Sequence, residues 1–333
     1  MDAYIDFPNF CSYLSSMSNQ DFAICNEVLL GNFNLYFTFG KEELSRSKKE
    51  IQKNFLLWLK TATKNRNGNR YEWNISFPPR PIKKDIHDGF TETQLSSVYM
   101  VDGDNVKAWA DAGCLLVAKK GEELTTLKKL QIANTFNPTK QFRIRELTDW
   151  SIFGDNSSPC TDILLVDRYV FAQSDHEYTV NSYALIEQLC KRANNTTINI
   201  VFFTLKSFKD EVQQNHDIPT PTIIRNLKTK LKERIGIEPN ITFVFIPDKD
   251  QHDRTIFTNY KMYTSGDSYK YFRDGANVSL CTYGEWMYVN SLYDMDNLNN
   301  AKAFVADLQE IVDKVKLGLM SIVGDKKCRF LRF

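Results

Sequence analysis

Nowhere in the 333 residues does an uninterrupted apolar run approach the ~18 residues that a membrane-spanning helix needs. No transmembrane segment is expected. The start of the chain, MDAYIDFP, lacks the basic stretch and apolar centre of a signal peptide, so the expected location is the cytoplasm. An excess of one charge is also missing. Against 42 Lys plus Arg stand 41 Asp plus Glu, and the net charge of +1 gives no global pull toward nucleic acid or anionic lipid. Any such partner has to be held by a local patch. The seven cysteines, at 11, 25, 114, 160, 190, 281 and 328, form no C-x-x-C pair, which argues against a zinc site or a disulfide frame and for reduced, buried thiols. The stretch KKGEE at 119–123 lacks the glycine spacing and Lys-Ser/Thr pair of a phosphate loop. DGDN at 102–105 lacks the later glutamate of a calcium loop. The reading therefore expects no cofactor and no metal.

What is present is an ordinary globular composition, 42% hydrophobic and 25% charged, in a chain long enough for two domains. Residues 32–40 alternate like a strand, and 41–59 read as a helix with Leu44, Ile51, Phe55 and Trp58 on its apolar stripe. The polar loop 64–70 and the proline-rich connector 77–81 follow. In 90–150 the pattern predicts a short helix over 104–112, a buried strand over 114–118 and a helix over 122–132. The polar run 155–160 is the best linker and the expected boundary.

Beyond it, strands and helices alternate: strand 162–171, helix 178–192, strand 198–203, a helix from Thr220 to a stop at Gly236, and strand 241–246. Alternation of this kind predicts an α/β sheet with helices on its faces, whose ligands sit beyond the carboxyl ends of the strands, where Asp167 and Arg168 fall. A final strand is expected over 281–289 and a long helix over 298–323, with Leu298, Ala301, Val305, Leu308, Ile311, Val312, Val315 and Leu319 along one side. The tail from Lys326 to Phe333 interleaves cations with aromatics. It suits an anionic surface, single-stranded bases, or docking on the body of the protein.

Chemistry concentrates in 241–272. A strand starting near His252 would put His252 and Arg254 on one face, because side chains two apart on a strand share a face. Asn259 closes that strand. After the next one, Ser265, Gly266, Asp267 and Ser268 make a tight turn with hydroxyls and backbone N–H groups. An imidazole, a guanidinium, an amide and a Gly-Ser turn together would suit a phosphate oxyanion.

His252-x-Arg254, four residues, Asn259, six residues, then Gly266-Asp267-Ser268 resembles the phospholipase D signature His-x-Lys-x4-Asp-x6-Gly-Ser, with Arg for Lys, Asn for Asp, and Asp267 at the serine position. The His-Asp-Arg triplet is similar to the degenerate phospholipase-D-like domain that follows MIT (microtubule-interacting and trafficking) domains, a group understood to bind membranes without hydrolysis. The resemblance covers roughly 161–333. In the catalytic family it implies a histidine nucleophile, a second histidine as acid, a lysine on the phosphate and an aspartate orienting the imidazole. Arg254 can still hold phosphate bidentately. Asn259 cannot stabilise an imidazolium, and loss of the carboxylate in a comparable relay costs about 10⁴ in rate. Of the four histidines, at 87, 176, 216 and 252, only the last has this context, so a second motif would have to come from a homodimer.

The expected architecture is α/β: a smaller α+β domain over 1–155, divisible at 90, then a phospholipase-D-like mixed sheet flanked by helices over 156–333. The expected function is recognition of a phosphate-bearing ligand, nucleic acid or anionic lipid, without turnover. His252, Arg254, Asn259, Ser265, Gly266 and Ser268 would touch it, and Asp167 and Arg168 would face the cluster or cap their strand. The alternatives are a dimeric phosphodiesterase with His252 as nucleophile and a protein-interaction scaffold.

Overall fold

The structure is a computed structural model that describes residues 2–37, 39–64, 98–100, 115–116, 120–132, 139–154, 160–172, 177–191, 197–209, 214–246, 254–273, 285–292, 294–314 and 321–333. The loop 64–70, the connector 77–81, the helix expected over 104–112 and the linker 155–159 lie outside them, apart from Lys64. Two compact units emerge, one of residues 1–138 with 292–298, the other of 139–291 with 299–333.

In the first unit, β1 (Asp2–Ile5), β2 (Asn34–Phe37), β3 (Val98–Met100) and β4 (Leu115–Leu116) form a sheet in the order β2-β1-β3-β4, every neighbour parallel. Parallel pairs need crossover connections. α1 (Phe7–Ser15), α2 (Phe22–Asn32), α3 (Lys41–Ser45) and α4 (Lys49–Lys64) lie between successive strands in the chain, and α5 (Glu123–Ile132) follows β4. The unit is thus α/β in character, and the expected segregation into α+β is corrected. The single helix expected over 41–59 is two, with Arg46 and Ser47 between them closing α3, the Arg46 amide by an α-type bond to the Glu42 carbonyl and the Ser47 amide by a 3₁₀-type bond to that of Leu44. Trp58, fully buried, meets Phe10 edge-on at 5.3 Å and donates from its indole to Asn26 Oδ1 at 2.7 Å, which also takes the Tyr13 hydroxyl at 2.9 Å.

The second unit is built on eight strands in the order β14-β10-β7-β6-β11-β12-β13-β5. β6 (Asp162–Val166), β7 (Thr197–Thr204) and β10 (Glu238–Phe245) run parallel at its centre. They read as continuous apolar runs because both faces are buried. Ile163, Leu165, Ile200, Phe202, Ile241 and Phe243 belong to one core cluster with Leu185, Ile186 and Leu189 of α6 (Ala184–Cys190) and Ile223, Leu227 and Leu231 of α7 (Thr220–Ile235). Leu164, Val166, Val201, Phe203 and Val244 are buried as well. α7 opens on a proline-containing turn and stops at Gly236, whose φ of +70° is a left-handed cap. The expected helix over 178–192 begins as a π turn over Thr179–Tyr183, whose Val180 carbonyl takes the Trp150 indole N–H at 2.7 Å.

The remaining strands are antiparallel: β11 (Arg254–Thr258) on β6, β12 (Lys261–Ser265) on β11, β13 (Trp286–Ser291) on β12, and β5 (Thr139–Arg143) on β13. A small hairpin, β8 (Ser207–Lys209) with β9 (Asn215–Asp217), stands apart. Because β5 belongs to this sheet, the unit starts at Thr139, earlier than the boundary expected at 155. Ile144, Trp150 and Phe153 are part of its core, with Trp150 stacked on Tyr271 at 4.9 Å. The long helix does not run to 323 as expected: α8 is described over Met295–Lys314, and β14 (Ile322–Gly324) pairs antiparallel with β10. Leu298, Ala301, Val305, Leu308 and Val312 of the expected stripe are buried, and Val315 and Leu319 lie outside the described residues. The C-terminal tail docks on the body. Phe330 is buried edge-on to Phe257 at 4.9 Å, the Arg329 amide donates to Asp162, and Gln309 exchanges hydrogen bonds with the Arg332 backbone. No described helix is long and apolar enough to cross a membrane.

Candidate functional site

Three elements of the second unit converge where β6 ends, β11 begins and β12 turns. Arg254 pairs with Ser265 across β11 and β12, and Thr255 pairs with Val166 on β6. The residue after Val166, Asp167, therefore meets the turn after Ser265. Its carboxylate is fully buried and accepts four contacts: Ser268 Oγ at 2.7 and 2.9 Å to its two oxygens, the Tyr269 amide at 2.7 Å and the Tyr169 amide at 2.9 Å. Burial still holds the Asp167 carboxyl above its ordinary pKa, against the pull of those donors and of the Arg254 charge.

The turn itself is closed. The Gly266 amide donates to the Trp286 carbonyl, that of Asp267 to Ser265 Oγ, that of Ser268 to Asp267 Oδ1 and that of Tyr269 to Asp167. Ser265 Oγ also shares a hydrogen with Tyr271 OH at 2.6 Å. The expected array of backbone N–H groups open to an oxyanion is therefore corrected: the turn satisfies its own donors, as buried backbone must. Ser268, 3% exposed, is committed to Asp167. A Cβ at Gly266 would stand 2.0 Å from Glu285 Oε2, so the half-exposed Glu285 side chain lies against this glycine.

Arg254 is different. One arm of its guanidinium donates to the Gly266 carbonyl at 2.9 Å, and its other nitrogens make no hydrogen bond among the described residues. It is a half-exposed cation fixed at one corner with donors to spare. Arg168 is nearly buried, its guanidinium over the Tyr169 ring at 5.1 Å and donating to Tyr169 OH at 2.9 Å. Asn259 does not join this group. Five residues along β11, roughly 16 Å at strand rise, it is fully buried at the other end of β6. There its Oδ1 takes the Thr161 amide at 2.9 Å and its Nδ2 donates to Thr161 Oγ1 at 2.9 Å. Its role is to fasten β11 to the start of β6, and its placement as a ligand-touching residue is corrected. His252 lies outside the described residues. The structure thus brings Arg254, Ser265, Gly266, Ser268, Asp167 and Arg168 to one end of the sheet, where Arg254 is the half-exposed cation with uncommitted donors and the Nε of the nearly buried Arg168 has no hydrogen-bond partner among the described residues.

One polar feature of the first unit was not anticipated. Its strand order reverses between β1 and β3, the kind of switch point at which open α/β sheets hold ligands. There Asp6, whose amide donates to the Met100 carbonyl, caps α1 by accepting from the Asn9 amide at 2.8 Å and from Asn9 Nδ2 at 2.9 Å. Asn9 is fully buried, and its Oδ1 has no hydrogen-bond partner among the described residues. The signal in the sequence was an Asp three residues before an Asn at a strand-to-helix turn, which reads equally well as a plain cap.

No family model and no curated protein matches the chain. Among solved structures, TrmBL2, an archaeal chromatin protein with a novel mode of DNA binding, is similar over 57% of this chain and 62% of its own, at 12% identity and a TM-score of 0.26. A superposition that loose carries no argument here, and the chain spans less than two thirds of that protein. No metal-holding group of three or more His, Cys, Asp or Glu side chains occurs among the described residues. The class that the fold defines is a mixed α/β sheet protein with a second, parallel α/β unit.

Proposed function

We propose that the Arg254 end of the larger sheet binds a phosphate-bearing ligand, nucleic acid or anionic phospholipid, without hydrolysing it. The observation that carries the reading is the anchored, half-committed guanidinium of Arg254. A planar cation held by one corner presents the rest of its fork to phosphate oxygens at little further entropic cost. Glu285 crowds the same glycine to which Arg254 is tied, which favours a singly charged phosphodiester over a terminal phosphate dianion. Against turnover stand the commitment of Ser268 to Asp167 and the distance of Asn259 from Arg254. The resemblance to the phospholipase-D-like domain that follows MIT domains supports the same reading.

Arg254→Ala is expected to weaken binding by about 1.5–3 kcal/mol, the scale of a hydrogen bond to a charged group, or roughly ten- to a hundredfold in Kd. His252→Ala should matter much less. The measurement is binding and turnover of labelled single-stranded DNA, RNA and phosphatidylserine vesicles by the full chain. Turnover that vanishes in His252→Ala would establish a phosphodiesterase, for which a homodimer has to supply the second histidine. Absence of binding to all three would leave the interaction scaffold.

A second reading is favoured by Asn9 Oδ1. An orphan buried acceptor beside the Asp6 carboxylate asks for a donor, and an all-oxygen pair suits the water of a hydrated hard cation such as Mg²⁺. Titration calorimetry with Mg²⁺ is expected to give heat in the full chain that Asn9→Ala abolishes. No heat in the unaltered chain would discard this reading.

A further inference from the structure

At the opposite end of the parallel strands from Arg254, the first residues of β7 and β10 and the outer side of α7 enclose a groove of about 510 Å³, lined by Thr197, Lys228, Thr229, Lys232, Asn240 and Lys327, with Glu238 and Pro239 completing its wall. Its size is that of a small-ligand site. Its cations come from separate elements: Lys228 and Lys232 lie one helical turn apart on α7, and Lys327 follows β14 in the tail. Lys228 is paired with Asp325 at 2.7 Å, and Lys232 with Glu238. Among the described residues Lys327 makes no ion pair or hydrogen bond, and its charge helps, after Lys228 and the Ile241 amide, to hold Asp325 ionised.

Three ammonium groups around one polar hollow, set against two carboxylates, leave a net positive charge. The Lys232–Glu238 pair is more than 60% exposed on both sides. Pairs so open to water are weak and screened, so the lysine can turn to a better anion at small cost. The hollow, at about 510 Å³, has room for more than one phosphate, and its lysines come from two separate elements, α7 and the tail. A chain of phosphates reaches all three, with the Thr197 and Thr229 hydroxyls and the Asn240 amide as neutral partners. Ammonium groups suit such a ligand because they act as point charges and impose no bidentate geometry.

We propose that this groove is a binding site for a small polyphosphate anion, held by Lys228, Lys232 and Lys327. The site is separate from the Arg254 end and independent of the function proposed for it. Since Lys327 belongs to the tail and the other two to α7, an occupant also ties the tail to the body and stabilises the folded chain.

The test uses the full chain and three probes at matched ionic strength: tripolyphosphate, ATP, and sulfate as the screening control. Binding is read by titration calorimetry and stability by thermal melting. Tripolyphosphate or ATP is expected to bind and to raise Tm, sulfate at the same ionic strength to do neither. A tighter ATP than tripolyphosphate would assign the site to a nucleotide, the reverse to an inorganic chain. Lys327→Glu and Lys232→Ala, both at exposed positions that leave the core untouched, should each weaken binding at least tenfold, and Arg254→Ala should leave it unchanged. An equal response to sulfate, or full binding retained in Lys327→Glu, overturns the proposal. So does loss of binding in Arg254→Ala alone, which would move the anion to the other end of the sheet.

Discussion

Replacing Asp167 with alanine is expected to lower the unfolding free energy by about 3–5 kcal/mol, the scale for removing one partner of a buried charged network. Among the described residues the carboxylate accepts from Ser268 Oγ and from the amides of Tyr169 and Tyr269, and the Ser268 and Tyr269 bonds lie in a buried corner where water does not substitute. Ser268→Ala removes a single donor and should cost only about 1–2 kcal/mol. Urea denaturation of the two variants checks the difference. A loss in Asp167→Ala no larger than that in Ser268→Ala would mean that the turn finds other acceptors.

The same residue has a pH signature. Burial raises the Asp167 carboxyl, with the opposing hydrogen bonds and the Arg254 charge pulling it back only in part. A carboxyl raised in the folded chain holds its proton more tightly there than when unfolded. Its contribution to stability is thus complete below the unfolded value of about 3.9 and is lost as pH rises through the folded one. Asp162, also buried and raised, acts in the same direction. Above about pH 4, stability should therefore fall with rising pH less steeply in Asp167→Ala than in the unaltered chain.

Gly324→Ala is expected to cost about 2–4 kcal/mol, or to release β14 and the tail outright. The residue sits at φ +112°, and a Cβ would stand 2.1 Å from the Ile241 carbonyl oxygen and 3.2 Å from Thr242 Cα. Both belong to the backbone of central strand β10, which cannot step aside without breaking its ladder to β7. Gly236→Ala is the control. It has φ +70° but open space around the added methyl, so only backbone strain of about 1–2 kcal/mol is at stake. Hydrogen exchange at Asp325, Lys326 and Arg329, whose amides bond to Ile241, Thr242 and Asp162, reads tail release directly. Unchanged protection at those amides with an unchanged urea midpoint would contradict the expectation.

The parts legible in the sequence were those in which one physical signal dominates. β6, β7 and β10 are apolar on both faces, and α7 carries its proline start and glycine stop in plain view. β5 was missed because TKQFR is an edge strand, half in water and without a hydrophobic run. β14 was hidden inside a helical period that continues past Lys314, since IVG pairs only because β10 has a free edge to offer. The site was half legible. Spacing along β11 and β12 leads to Arg254 beside the turn, and the end of β6 leads to Asp167, whose carboxylate meets Ser268 there. Strand rise already implied that Asn259, five residues on, could not be there as well. That the turn consumes its own N–H groups could not be read, because which partner a donor finds depends on Asp167 arriving from a strand about a hundred residues earlier, as the 102-residue separation from Tyr269 shows.

The order of the strands in the large sheet also sets a timetable. As the polypeptide leaves the ribosome, β6, β7, β10, β11, β12 and β13 can assemble in sequence, but the outer flank of β10 waits for Ile322–Gly324, made only after all of these strands. Until then a long apolar strand has an unpaired row of amides and carbonyls, the arrangement through which nascent chains stick to one another. Premature termination just before β14 would thus leave most of the sheet intact and yet yield a sticky product, and expression of such a truncation should load the cell's holdase chaperones more heavily than loss of the same number of residues from an exposed loop.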